Sequence, residues 1–280
     1  MGELTGITIG VTAERRAGEF IGALERHGAT VRHAPLIHIV PLPDDPLLRA
    51  ATDTVLADGV DMLAVTTGAG FRGWFDAAAG WGLGDRLLTT LAQARIFTRG
   101  PKGQGAVRGR GLTEEWSAPQ ESNRELFGHL LDRGVAGKRI AVQLHGSALP
   151  GFTTALAEAG AELVEVQPYR WEWPADLGPA CALLDDVLAR KVSALAFTSA
   201  PASANLLALA RRRGVYDSLL DTLRGDVLCA CVGPVTAAPL VDAGVSTRQP
   251  QRQRLGALVK LLVAELGVTP KGRSSGMSAG

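Results

Sequence analysis

The sequence contains few cysteines, almost no net charge and no apolar run long enough to cross a membrane. Its three cysteines are too few for a disulfide framework, and its net charge of +1 gives no general attraction to nucleic acid or membranes. The longest apolar stretches have the length of strands or carry charges. The N-terminal residues lack the charged and apolar regions of a signal peptide. With 46% hydrophobic residues, the composition favours a cytoplasmic globular protein of one or two domains.

Motifs for common cofactors and catalytic dyads are also absent. There is no Walker motif, and the first predicted strand leads into Gly10-Val11-Thr12-Ala13 rather than a GxGxxG turn. There is no GxSxG elbow, and none of His27, His33 and His38 pairs with a nearby cysteine or repeated carboxylate. Cys229 and Cys231 alternate on one predicted strand, and no further metal ligands lie nearby in the sequence. We therefore predict that both are buried thiols. Nicotinamide and ATP enzymes, serine hydrolases and metal sites are therefore disfavoured, and we predict no cofactor.

What the sequence does contain is an internal repeat, at a shift of 132 or 133 residues. The matching pairs are Gly28-Ala29 with Gly160-Ala161, Pro35-Leu36 with Pro168-Tyr169, Thr66-Thr67 with Thr198-Ser199, and Gly100-Pro101 with Gly233-Pro234. The nearly constant shift indicates two similar halves. Two such halves predict a cleft between them, which is a usual place for a small-molecule site.

Short apolar runs alternate with amphipathic segments, which is the pattern of βαβ units and a parallel sheet. Strands are predicted at residues 7–11, from residue 31, and at 62–65, 94–97, 140–144, 163–166, 194–197 and 227–232. Helices are predicted up to Gly28 and at residues 122–133, 150–159, 179–190, 202–213 and 255–266. The sequence therefore predicts an α/β fold.

Two proline-rich segments, residues 39–44 and 167–174, occupy equivalent points of the two halves. Each follows the second strand of its half, so each is a candidate crossing between domains. Two crossings predict domain one at 1–40 plus 174–267 and domain two at 42–170. Residues 268–280 are predicted to form a disordered tail, because their composition cannot bury a core.

Small and polar residues follow the predicted strands. In open α/β sheets, ligands bind outside the carboxyl ends of the strands, and hydroxyls with free N–H groups at helix starts suit an anion. Simple N-capping by Ser and Thr would also explain them. The candidates are Thr12, Thr66, Thr67, Gly100, His145, Thr198, Ser199, Gly233 and Thr236.

A basic stretch, residues 94–112, lies within the first half. It has no acidic residue and contains Arg95, Arg99, Lys102, Arg108 and Arg110. A solvated surface is the usual explanation of such a run. Beside a cleft, the same charges would suit a polyacidic substrate, which adds Lys102 to the candidate residues.

The order and spacing of these motifs resemble the uroporphyrinogen-III synthase family over residues 5–267. The resemblance rests on Val11-Thr12 before Arg15-Arg16, Pro35-Leu36-Ile37, Asp61 leading to Thr66-Thr67, Gly100-Pro101-Lys102, Tyr169, Phe197-Thr198-Ser199 and Gly233-Pro234-Val235-Thr236-Ala237. It implies two pseudo-repeated parallel-sheet α/β domains joined by a two-stranded linker, with the site in the cleft between them.

The resemblance also implies an activity, the closure of linear hydroxymethylbilane with inversion of its last pyrrole ring and loss of water. No metal or organic cofactor takes part, and a monomer without membrane or nucleic-acid partners is expected. The candidate residues would bind this polycarboxylate substrate, and Tyr169 would assist departure of the hydroxyl. A linker aromatic that covers a hinge is the other interpretation of Tyr169.

One departure from the family pattern is Gly103, where the family usually has threonine. Together with Gly105, Gly109 and Gly111, it weakens a predicted helix, since each interior glycine costs about 0.5–1 kcal/mol relative to alanine. Arg99 or Lys102 would have to replace the missing hydroxyl. The alternative function is a catalytically weak or inactive tetrapyrrole-sensing regulator, a fragment of a protein with a C-terminal DNA-binding domain. Intact hydroxyls in the second half favour the synthase, and Gly103 favours the regulator.

Overall fold

The computed structural model of the chain describes residues 2–267. The tail predicted at 268–280 lies outside them. The chain folds into two compact units. Unit 1 is built from residues up to His38 and from Trp173 onward, and unit 2 is Ile39–Glu172. No helix in the described range is long and apolar enough to span a bilayer.

The described residues form twelve strands and twelve helices. The strands are β1 (Thr8–Val11), β2 (Thr30–His33), β3 (His38–Pro41), β4 (Met62–Val65), β5 (Arg95–Thr98), β6 (Trp116–Ser117), β7 (Arg139–Gln143), β8 (Glu162–Val166), β9 (Tyr169–Glu172), β10 (Ala194–Phe197), β11 (Leu228–Cys231) and β12 (Thr247–Arg248). The helices are α1 (Ala17–Arg26), α2 (Pro46–Asp58), α3 (Gly68–Gly80), α4 (Gly84–Leu91), α5 (Pro101–Arg108), α6 (Asn123–Asp132), α7 (Pro150–Glu158), α8 (Gly178–Leu188), α9 (Ala200–Arg212), α10 (Tyr216–Gly225), α11 (Pro234–Asp242) and α12 (Leu255–Leu266).

Each unit contains one five-stranded parallel sheet. The strand order is β12-β11-β10-β1-β2 in unit 1 and β6-β5-β4-β7-β8 in unit 2, with all neighbours parallel. The two orders match strand for strand, with β10 and β4 at equivalent central positions. The predicted α/β class with two parallel sheets is confirmed, and the sequence repeat corresponds to this repeated topology.

The predicted strands are confirmed to within one residue at each end. The proline-rich segments contain two further strands, β3 and β9, which pair with each other in a separate two-stranded sheet. The residues alone did not predict these strands, because they are four residues long and β3 ends at Pro41. Proline cannot donate to a ladder, so a proline-rich segment carries little strand signal.

The core of unit 2 lies on both faces of its sheet. Leu63 and Val65 of β4 pack in one apolar cluster, and Met62 and Ala64 pack in the other. Successive strand side chains point to opposite faces, so a strand covered on both sides is apolar throughout. The central strands therefore hold the residues that follow them at one well-fixed sheet edge.

Candidate functional site

The candidate residues of unit 2 converge at the carboxyl edge of its sheet. Strands β5, β4 and β7 are neighbours, and the segments leaving them carry Arg99-Gly100, Thr66-Thr67 and His145. Tyr169 opens β9 after the adjacent strand β8 and is 8% exposed. Its hydroxyl lies 3.3 Å from Thr67 Oγ1. The predicted grouping of these residues is thus present within unit 2.

Thr67 links the first turn of α3 to the tyrosine. As the N-cap residue, its hydroxyl oxygen accepts a hydrogen bond from the Gly70 N–H at 3.0 Å. A hydroxyl has one donor and two acceptor positions. Thr67 can therefore cap α3 and still hold the Tyr169 oxygen in a defined position.

Gln143, at the end of β7, organises this corner, and the sequence interpretation missed it. Its buried side-chain oxygen accepts from the Thr67 backbone N–H at 3.0 Å, and its amide nitrogen donates to the Leu144 carbonyl. A Cβ atom on Gly70 would overlap the Gln143 amide nitrogen, so a larger residue there would displace this hydrogen-bonded side chain. The available signal was one polar residue at the end of an apolar strand, because a buried amide needs partners.

The basic stretch divides once the chain folds. Arg95 pairs with Glu115 at 2.7 Å, Arg108 with Glu114 at 2.5 Å, and Arg110 with Asp76 at 3.1 Å. These three arginines are satisfied by acids from outside the stretch. Lys102 is exposed on α5. Most of the stretch is therefore a paired surface.

Arg99 differs from the other arginines of the stretch. It is half-buried, and its guanidinium has no hydrogen bond or ion pair with any residue in 2–267. Burial lowers the pKa of Arg99, and nearby Tyr169 and Glu121 oppose that shift. Arginine stays charged in proteins, so this corner carries a positive charge that the described part of the chain leaves unpaired.

His145 lies beside Arg99 as a half-buried ring. It packs edge-on against Trp171, with ring centroids 5.0 Å apart and a 75° interplanar angle. Its Nδ1 atom is buried and has no hydrogen-bond partner in the described chain. Burial, and secondarily the charge of Arg99, lowers the pKa of His145 to about 4. The imidazole is therefore neutral near pH 7.

Gly100 and Gly103 permit close packing around α5. A Cβ atom on Gly100, the N-cap residue, would lie 2.9 Å from Glu121 Cγ. One on Gly103 would lie 3.3 Å from the Thr98 Cβ atom and 3.5 Å from Val65 Cγ1. A side chain at position 103 would thus face the sheet, and Gly103 lets α5 pack tightly on β4 and β5. The glycine-rich segment does form the predicted helix, over Pro101–Arg108.

The candidate residues of unit 1 occupy the equivalent edge of the other sheet, after β1, β10 and β11. Thr12 is buried, and its hydroxyl donates to the Ala196 carbonyl at 3.1 Å. Thr236 is also buried. Thr198 and Ser199 are half-buried, and neither hydroxyl bonds to another described residue. A Cβ atom on Gly233, the N-cap of α11, would overlap the Gln253 side chain.

The threonines after the strands therefore divide into two groups with different expected mutational effects. Thr66 is buried and donates to the Gln143 carbonyl at 2.7 Å, so Thr66→Val should lower the free energy of unfolding by about 1 kcal/mol. Thr198→Val should leave stability unchanged and weaken binding of an anionic ligand by about 10-fold. Urea unfolding and equilibrium binding measure the two effects. Equal behaviour of the two variants would contradict the division.

The two cysteines of β11 are not among the candidate site residues of either unit. Burial raises the pKa of the Cys229 and Cys231 thiols to about 12. Both thiols therefore stay protonated, as predicted for buried residues. The described residues contain no group of three or more His, Cys, Asp or Glu side chains that could hold a metal ion.

Comparisons with known proteins give one consistent result. The family model described as "Uroporphyrinogen-III synthase HemD" matches residues 18–260. The uncharacterized protein YjjA of Bacillus subtilis is 29% identical over 91% of this chain and 94% of its own length. A mutant uroporphyrinogen III synthase from the extremely thermophilic bacterium Thermus thermophilus superposes with a TM-score of 0.76 at 28% identity, over 93% of this chain and 98% of that chain. The wild-type Thermus enzyme gives 0.64 at 30% identity, with the same coverage. The chain belongs to the uroporphyrinogen-III synthase family.

Proposed function

We propose that this protein is a uroporphyrinogen-III synthase, a cofactor-free lyase of tetrapyrrole biosynthesis that acts in the cytoplasm as a monomer. It would close hydroxymethylbilane with loss of water and inversion of the last pyrrole ring. Family membership supports the reaction class. The observation that supports it in this chain is the Tyr169 hydroxyl, held 3.3 Å from Thr67 Oγ1 beside the unpaired charge of Arg99.

The first chemical step is departure of the substrate hydroxyl. Tyr169 would donate its proton to the leaving oxygen as the carbon–oxygen bond breaks, so that water leaves. Arg99 and the Thr67 hydroxyl would stabilise the resulting phenolate, because fixed charges and dipoles are most effective in a site shielded from water. Ring closure later releases a proton when the attacked pyrrole regains aromaticity, and that proton would restore the phenol.

The carbon–carbon step needs little from the protein beyond position. Loss of the hydroxyl as water leaves an electron-poor azafulvenium cation that electron-rich pyrrole carbons attack without a covalent enzyme intermediate. Holding both chain ends in reactive geometry is then the main contribution. We therefore expect no nucleophilic residue among the groups that bind substrate.

The substrate's carboxylates need hydrogen-bond donors. In unit 2, Thr67 and Gly100 place backbone N–H groups of α3 and α5 at the sheet edge, and helix starts attract anions. In unit 1, we propose Thr198, Ser199 and Gly233 for the same role. Thr12 in unit 1 and Thr66 in unit 2 would each stabilise the edge of their own sheet, by donating a hydrogen bond to a backbone carbonyl.

The regulatory alternative depended on the missing hydroxyl at position 103. Gly103 faces Thr98 and Val65 in the interior of unit 2. A threonine hydroxyl at this position would therefore be directed toward the sheet. Nothing in this geometry favours loss of activity.

The test is the isomer made from freshly prepared hydroxymethylbilane. Purified protein should yield mainly the type III macrocycle, whereas buffer alone closes the chain without inversion to type I. Oxidation to the porphyrins and chromatographic separation of the two isomers give the ratio. A type I yield equal to that of buffer would refute the proposed activity.

A further inference from the structure

The guanidinium of Arg99 has no partner in the described part of the chain before the reaction begins, because the phenolate that it would stabilise forms only when Tyr169 gives up its proton. Its three arginine neighbours in sequence, Arg95, Arg108 and Arg110, each have a carboxylate partner. Arg99 is half-buried and has none among residues 2–267. A charge withdrawn from water without a partner is costly, so such a group is usually paired with an anion in the functional state.

The surroundings of Arg99 identify the position of that anion. Arg99 follows β5, and its backbone N–H donates to the Val65 carbonyl at 2.9 Å, which places it next to the start of α3. Its charge interacts with Tyr169, Glu121 and His145. We propose that Arg99 binds a carboxylate of the substrate and holds the reacting end of the chain beside the Tyr169 hydroxyl. This inference rests on the proposed function and assigns one of its binding residues.

Arg99 suits this role better than Lys102, although the sequence left both available. Lys102 is exposed on α5, so its ammonium is hydrated and its attraction is screened by salt. A guanidinium presents a planar set of donors that matches a carboxylate with two parallel hydrogen bonds. Partial burial strengthens such a pair.

Glu121 is an acidic residue whose charge acts on Arg99 without forming an ion pair with it. It adopts a left-handed backbone conformation, with φ 57°, which is uncommon outside glycine and often marks functional sites. Its side chain occupies the space that a Cβ atom on Gly100, the residue after Arg99, would need. The negative charge of Glu121 would repel a substrate carboxylate and offset part of its attraction to Arg99. Removing the Glu121 charge should therefore strengthen binding.

The experiment measures equilibrium binding of uroporphyrin I, a macrocycle with the same carboxylate side chains, by fluorescence titration. Arg99→Gln should weaken binding by about 10- to 100-fold, the loss expected for a hydrogen-bonded charge. Arg99→Lys should lose less, and Lys102→Gln only about 2- to 3-fold. Glu121→Gln should tighten binding by about 2- to 5-fold. Arg86→Gln, the same substitution at an exposed arginine of α4, is the matched control and should bind like wild type.

The variants also separate positioning from general attraction. Arg99→Gln should raise KM for hydroxymethylbilane and reduce the type III fraction, since a misplaced chain end closes without inversion. Binding by Arg99→Gln should keep most of its dependence on salt between about 0.05 M and about 0.5 M, because salt screens exposed charges far more than partly buried ones. Circular dichroism and melting temperature establish that the variant is folded.

Three outcomes would overturn the inference. One is a folded Arg99→Gln variant with wild-type affinity, even if the wild type makes type III product. The second is a larger loss from Lys102→Gln than from Arg99→Gln. The third applies if Arg99→Gln does not fold, and it is binding by Glu121→Gln that is unchanged or weaker than that of the wild type. Arg99-dependent binding without type III product would instead support the inference and refute the proposed synthase.

Discussion

Replacing Tyr169 with phenylalanine is expected to lower kcat by about 10²- to 10⁴-fold, the contribution usual for a general acid. The substitution removes one oxygen atom from a ring that is 8% exposed and otherwise keeps its shape. KM should change little, because proton donation to the leaving oxygen is strongest in the transition state. Single-turnover formation of type III product from hydroxymethylbilane measures the effect.

The control for Tyr169→Phe is the other tyrosine of the chain. Tyr216 lies on α10, and its hydroxyl accepts a hydrogen bond from Arg211 at 2.6 Å. Tyr216→Phe removes the same atom away from the candidate groups and should leave kcat unchanged. A lowered melting temperature with wild-type kcat in Tyr169→Phe would show that Tyr169 only packs beside β8.

Adding one methyl group at Gly68 is expected to destabilise unit 2 by about 1–3 kcal/mol, the usual cost of overpacking. A Cβ atom there would overlap the backbone carbonyl oxygen of Lys102 and lie 2.8 Å from its carbonyl carbon. Backbone atoms cannot rotate away as a side chain could, so α3 and α5 would have to separate. Because Thr67 caps α3, kcat should fall as well. Urea unfolding and the isomer assay measure the two effects.

Gly105→Ala is the matched control for Gly68→Ala. Gly105 is exposed on α5, and nothing lies within 4 Å of a Cβ atom placed there. Alanine should therefore stabilise the protein by about 0.5–1 kcal/mol, since glycine is a poor helix former. Equal stability of the two variants would mean that the approach of α3 to α5 is not a constraint.

Much of the fold could be predicted from local patterns. The run Met62-Leu63-Ala64-Val65 predicts a buried strand of those bounds, because a strand covered on both faces has no polar position. The shift of 132 residues between Thr66-Thr67 and Thr198-Ser199 places both pairs after equivalent central strands. Each of these patterns is a short run of neighbouring residues, so it can be recognised in a single sequence.

The candidate site was predictable only in part. The convergence of Thr67, Gly100 and His145 follows from the rule that ligand groups gather at the carboxyl ends of parallel strands, whereas Tyr169 became a candidate only through the family resemblance. Gln143 was missed because its partner Thr67 is 76 residues away, and only the pairing of β4 with β7 brings them together. The direction that a side chain at position 103 would take depends on how α5 packs on the sheet. The glycine-rich segment alone does not determine that packing.

The sequence by itself determined the α/β class, the repeated strand pattern and the family to which the chain belongs. It could not choose between Arg99 and Lys102, since both are cations three residues apart in one basic stretch. Tertiary structure distinguishes the two, because the end of β5 withdraws Arg99 partly from water while α5 leaves Lys102 in it. It also decided which threonine hydroxyls are already bonded. The physical reason is that burial and hydrogen-bond partners come from residues distant in sequence, and these set the availability of each group.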